Sequence, residues 1–192
     1  EIERINTIIR QLLEISRPSN AGLKVVPVHE LIDDIAEVLN IQPLMADVTL
    51  ECRLEAENDN VMADSNQLRQ VFLNLIINAA DAISSEGQAD NGKLLIQSAL
   101  VGETPDQPPG RKAYLKIMFI DNGPGIPEEN IGNIFDPFYS TKEPGKGTGL
   151  GLSISYGIVK DYDGTIDVES EVGKGTLFKI SFPACQEENN DR

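Results

Sequence analysis

The 192-residue chain carries 31 acidic side chains against 16 Lys and Arg, a formal net charge of −15, and 40% of its residues are hydrophobic. That balance excludes a general nucleic-acid binder, whose affinity comes from cations on phosphates, and also a disordered chain, which lacks the apolar content for a core. No apolar run nears the roughly 18 residues that cross a bilayer and no secretory leader pattern opens the chain; a cytoplasmic setting is expected, with Cys52 and Cys185 as reduced thiols.

In "IERINTIIRQLLEISRP", Ile2, Ile5, Ile9 and Leu12 recur at 3-4-3 spacing, and Pro18 ends the run. This heptad-like seam fits a surface helix capping the domain, or, as expected here, the end of a dimerising bundle helix plus a linker over residues 1–20. Residues 21–184 form the next unit. "LKVVPVHELIDDIAEVLN" predicts a short strand and then a helix over about 28–40, and "VTLECRLE" alternates as a strand does. Asp64 is a plausible N-cap for the helix "SNQLRQVFLNLIINAADAISS", with Gly87 as its stop. "GKLLIQSALV" and "AYLKIMFID" are strands joined by a Gly- and Pro-rich hairpin loop. A helix over 150–162 follows, then two strands around the Gly-Lys-Gly turn in "EVGKGT". Residues 185–192 are a polar tail. Strands and helices mix with hairpins among the strands, so the expected class is α+β, a mixed sheet with helices on one face.

Four stretches carry chemistry. In "NLIINAADAI", Asn74 and Asn78 lie at i and i+4 on one helix face; amide oxygens there either satisfy neighbouring backbone or ligate a hard cation such as Mg²⁺. "DNGPGIP" follows a strand, so that Asp121 can accept from an exocyclic amine while Gly123 and Gly125 let a flat ring approach; alone, the same residues are an ordinary turn. "FDPFYSTK" sets an aromatic cluster before two hydroxyls and Lys142, or is a small satellite core. "GKGTGLGLSI" puts four glycines at alternating positions before a helix start, where free N–H groups favour an anion. It fits neither the Walker A pattern nor G-x-G-x-x-G.

The ordered set resembles the nucleotide-binding boxes of sensor histidine kinases, within the superfamily that includes gyrase B, the heat-shock chaperone ATPase and the MutL-type ATPases. The resemblance covers about residues 24–184. It implies a Bergerat-type α/β two-layer sandwich holding ATP and Mg²⁺ under a mobile lid. On this sequence it implies Asn78 as the metal ligand, Asn74 near the phosphates and Asp121 on the adenine amine. Gly123, Gly125 and Ile126 would line the base, and Thr176 would close its far side. Phe135, Phe138 and Tyr139 would anchor the lid, with Ser140, Thr141 and Lys142 toward the terminal phosphates. Gly147, Thr148, Gly149, Leu150 and Gly151 would wrap the phosphate chain. Asp81 stands with the ATP-binding residues but departs from the family, which often has a basic or amide side chain there; Asp163-Gly164 replaces a common Gly-Gly.

What the resemblance implies is the catalytic portion of a two-component histidine kinase. It would transfer the γ-phosphoryl of ATP to a His outside the chain, on its own phosphoacceptor bundle, and thence to a response-regulator Asp. The full-length protein would be a homodimer, and no nucleic acid is expected as a partner. The lone His29 of "VHELIDD" follows a strand rather than a bundle helix, so it is not expected to be the acceptor. Two alternatives stay open: a same-superfamily ATPase and a nucleotide-sensing pseudokinase. Asn74 speaks against the ATPase, whose members carry Glu there, because an amide cannot take a proton from water.

Overall fold

The computed structural model describes residues 22–85, 91–102, 113–142 and 147–185. In chain order the elements are β1 (Lys24–Pro27), α1 (Val28–Asn40), β2 (Val48–Leu54), β3 (Asn60–Ala63), α2 (Ser65–Ser85), β4 (Gly92–Val101), β5 (Tyr114–Asp121), the short α3 (Glu128–Ile131), α4 (Gly151–Asp161), β6 (Thr165–Glu171) and β7 (Gly175–Pro183). The bundle helix expected over 1–20, the stop at Gly87, the hairpin loop after β4 and the tail beyond 185 lie outside the described residues.

A five-stranded sheet runs β2-β4-β5-β7-β6, parallel between β2 and β4 and antiparallel elsewhere. Period-2 alternation sets its inner face: Leu94 and Ile96 of β4, Leu115, Ile117 and Phe119 of β5, and Phe178, Ile180 and Phe182 of β7 are all buried. The helices cover that face with stripes at helical spacing, Leu31, Ile32, Ile35 and Leu39 from α1 and Leu68, Val71, Phe72, Leu75 and Ile76 from α2. Phe72 and Phe119 meet across the layers at 5.9 Å between ring centroids. The expected two-layer α+β sandwich is therefore present.

Two of these elements were not anticipated, the single-turn α3 and the strand β3. β3 pairs antiparallel with β1 as a separate two-stranded sheet, Val26 opposite Val61 and Lys24 opposite Ala63. Four residues are too few to display an alternation, and the partner strand lies far back in the chain. This small sheet steers the chain into α2: Asp64 follows it directly, and its Oδ1 accepts from Asn66 N–H at 2.8 Å, as an N-cap does.

Candidate functional site

The pleat that buries Leu115, Ile117 and Phe119 also turns Asp121 inward, and the residue is only 7% exposed. Oδ1 accepts from the backbone N–H of Gly123 at 2.9 Å and of Thr176 at 3.2 Å. Oδ2 has no partner among the described residues and is left for a donor in the cavity. Burial pushes the Asp121 carboxyl above its ordinary value, and the two N–H donors draw it part of the way back. Ile126 is held alongside through its N–H to Ser170 Oγ at 2.7 Å, and Ser170 Oγ lies 3.0 Å from the Thr176 hydroxyl. Gly125 takes φ +75, and a Cβ there would stand 2.2 Å from the Glu171 carbonyl oxygen, so no other residue fits.

Opposite stands α2. Asn74, Asn78 and Asp81 fall at i, i+4 and i+7, one stripe beside the helix's buried face. The Asn74 amide donates to the Gly151 carbonyl at 3.0 Å and to Ser155 Oγ at 3.2 Å; Ser155, fully buried on α4, donates in turn to that carbonyl. Among the described residues the Asn78 side chain has no hydrogen-bond partner. A neutral carbonyl oxygen on a cavity wall suits Mg²⁺, which takes one or two protein ligands and completes its shell with phosphate oxygens and water. No cluster of three or more His, Cys, Asp or Glu suited to a metal occurs among the described residues.

The segment between α3 and α4 supplies the mouth. The Tyr139 hydroxyl donates to Asn130 Oδ1 at 2.8 Å, and Phe138 N–H to the Gly149 carbonyl at 2.9 Å. Gly149 has φ +67, and a Cβ on it would fall 2.4 Å from the carbonyl carbon of Phe138. α4 begins directly after, at Gly151, with Leu150 as its N-cap, so its N-terminal amides open where Gly149 and Gly151 border the cavity. Lys142 Nζ meets Asp81 Oδ2 at 2.6 Å.

These parts enclose one cavity of about 370 Å³, the size of a ligand site. It brings together Asn74, Asn78 and Asp81 of α2, Asp121, Gly125 and Ile126 after β5, and Thr176 of β7. Tyr139, Ser140, Thr141, Lys142, Gly147, Thr148, Gly149 and Gly151 complete it from the glycine-rich side. Four expected residues stand behind this wall. Gly123 holds Asp121 through its N–H. Phe135, half-buried, packs against the core with Tyr156 at 5.4 Å and Phe178 at 6.5 Å. Phe138 points outward, 64% exposed at φ 67, because the chain reverses there. Leu150 is buried under the helix start. Residues 143–146 lie outside the described residues. Sequence reasoning passed over Ile77, Ala79, Ala82, Ile134, Leu152 and Phe178, which give the cavity its apolar lining; Ala79 and Ala82 flank the Asn78–Asp81 stripe, and that adjacency is the signal that marks them.

His29 is elsewhere. Its backbone N–H donates to Asp59 Oδ2 at 2.6 Å and its Nε2 lies 2.8 Å from Ser98 Oγ. Ser98 pairs with Ile117, four residues along β5 from Asp121, or about 13 Å away.

A helix-backed mixed sheet with one cavity among β5, α2 and a glycine-rich helix start defines an ATP-binding domain. Residues 63–186 match the histidine kinase-, DNA gyrase B- and HSP90-like ATPase family, and the chain belongs to it. It is 37% identical over 187 residues to sensor kinase CckA of Brucella abortus, covering 96% of this chain and 20% of that protein. It is 34% identical over 185 residues to sporulation kinase C of Bacillus subtilis, covering 95% of this chain and 39% of that one. The chain thus spans less than half the length of these curated relatives. Its structure is similar to the catalytic domain of histidine kinase ThkA, with TM-score 0.67 and 29% identity over 84% of this chain and 95% of that one. ThkA in complex with response regulator protein TrrA matches with TM-score 0.71 and 27% identity, over 98% of this chain and 49% of that one.

Proposed function

We propose that the chain is the catalytic portion of a sensor histidine kinase that binds Mg·ATP and passes its γ-phosphoryl group to a histidine on a separate helical bundle. One observation carries the reading: a single cavity is lined both by a buried carboxylate, Asp121, and by a glycine-rich helix start with Lys142 and Asn78. An adenine amine donates to Asp121 Oδ2, while Ile126, Ile134 and Phe178 take the ring faces. The phosphates lie toward the α4 amides and the Lys142 ammonium. Mg²⁺, when bound at Asn78, supplies neutralising charge on the phosphate oxygens. In the transfer, the bond from the γ-phosphorus to the ADP oxygen breaks as one to an imidazole nitrogen forms; the chain's residues position and stabilise charge.

Asn74 does not favour hydrolysis. Its amide nitrogen donates to Gly151 and Ser155 of α4, and an amide takes no proton from water. A response regulator follows by analogy with the partner of ThkA, and the phosphoacceptor bundle and a homodimer by analogy with kinases of this kind. The setting proposed is the cytoplasm, where Cys52 and Cys185 stay free.

The test is calorimetry of Mg·ATP on the chain and on Asn78→Ala, followed by incubation with labelled ATP and the phosphoacceptor bundle of the same kinase. Tight binding lost in the variant, and acid-labile label on the bundle, are expected. Equal binding by both proteins, or no label on the bundle, overturns the reading.

A further inference from the structure

The least expected residue in the cavity wall is Asp81, an acid where a polyphosphate is to sit. It lies three residues beyond Asn78 on the same stripe of α2, and its Oδ2 is 2.6 Å from Lys142 Nζ, 61 residues away in sequence. Both side chains line the cavity and both are about one-third exposed, at 38% and 36%. The route of the lysine is also built. Lys142 N–H donates to Ser140 Oγ at 3.2 Å. A Cβ on Gly147 would stand 2.9 Å from Ser140 Oγ and 3.3 Å from Lys142 Cδ, so the missing side chain leaves room for the lysine stem.

We propose that Asp81 is a positioning residue for Lys142: it holds the ammonium on the Asn78 side of the cavity and is itself neutralised by that ammonium. The inference rests on the ATP-binding reading above and deepens it. Lysine is a flexible point charge with three donors. Without a fixed acceptor its ammonium spreads over many rotamers, and ordering it on a phosphate costs side-chain entropy. With Asp81 as acceptor the charge is already on the correct wall, and two donors remain for phosphate oxygens. The carboxylate in turn is tolerable only while Lys142 is there. A bare carboxylate beside a triphosphate repels it.

The consequence is a reversal of sign. In the wild-type background Asp81→Asn removes the anchor and weakens Mg·ATP binding, by roughly two- to fivefold for a partly exposed pair. Lys142→Met loses the cation and bares the carboxylate, and weakens binding by on the order of tenfold. In the Lys142→Met background, Asp81→Asn relieves repulsion and recovers roughly two- to fivefold. Asp81→Glu keeps an acceptor and stays within about twofold of wild type.

The experiment is a double-mutant cycle on the 192-residue chain, read as Mg·ATP affinity by calorimetry, with thermal melts to confirm that each variant is folded. Opposite signs for Asp81→Asn in the two backgrounds support the assignment. Tightening in both, the same effect in both, or no effect in either overturns it. Wild-type chain that binds Mg·ATP beside an additive cycle removes this inference and leaves the functional reading standing; wild-type chain that does not bind removes both.

Discussion

The Asn74 side chain donates to the Gly151 carbonyl at 3.0 Å, bridging the middle of α2 to the first turn of α4. The amide is thus a structural donor at the joint between two walls of the cavity. Ser155 Oγ, at 3.2 Å, is a second acceptor for the same amide nitrogen.

Asn74→Asp replaces those donors with a carboxylate facing a carbonyl and a buried hydroxyl. We expect a loss of about 1–3 kcal/mol in folding stability by urea denaturation, with no gain of ATP hydrolysis. An unchanged midpoint would mean that the bridge to α4 contributes nothing.

Asp121 behaves oppositely to most carboxylates with pH. Its folded-state carboxyl is raised by burial, so between the unfolded and folded values the native state holds more protons than the unfolded one. Its contribution to stability therefore falls as pH rises through that window. Nucleotide binding needs the ionised form as acceptor, so affinity falls as pH drops through the raised value. Asp121→Asn should separate the two effects. Stability stays equal or rises, because an amide oxygen still serves Gly123 and Thr176, while affinity for ATP drops by about tenfold or more. Denaturation and calorimetry at several pH values check this. A variant that loses stability but keeps its affinity would contradict the assignment.

Gly149→Ala puts a methyl 2.4 Å from the Phe138 backbone at φ +67. The turn that presents the α4 N-terminus must shift. The expected cost is about 1–3 kcal/mol in stability, with nucleotide affinity lower by on the order of tenfold through misplaced amides. Gly157→Ala, where the added Cβ meets nothing within 4 Å, serves as the control and should be neutral or slightly stabilising.

His29→Ala removes one of two partners of the buried Ser98 hydroxyl, which keeps the Ala56 N–H at 3.1 Å. Stability should fall by about 1–2 kcal/mol, with ATP affinity unchanged. Incubated alone with labelled ATP, neither protein should acquire acid-labile phosphate. Label on His29 would overturn the reading that it is not the phosphoacceptor.

The sequence by itself determined the elements with strong periodicity and the residue types of the site. α2 was legible from its cap and apolar stripe, β5 from its alternation, and Asp121, Asn78 and the glycines from their order along the chain. These signals are local: a helix face or a strand pleat repeats within a few residues, and a carboxylate after a strand is visible without its neighbours. Tertiary structure decided what depends on pairs distant in the chain. β3 exists because β1 lies beside it. Phe135 came to pack half-buried against the core and Phe138 to face solvent because the chain turns at Phe138 with φ 67. Asn74 was assigned to Gly151 and Ser155, and Asp81 to Lys142, by the packing of α2 against segments 61 to 81 residues away. A hydrogen bond requires donor and acceptor within about 3 Å, and closeness across such separations is a property of the folded chain alone.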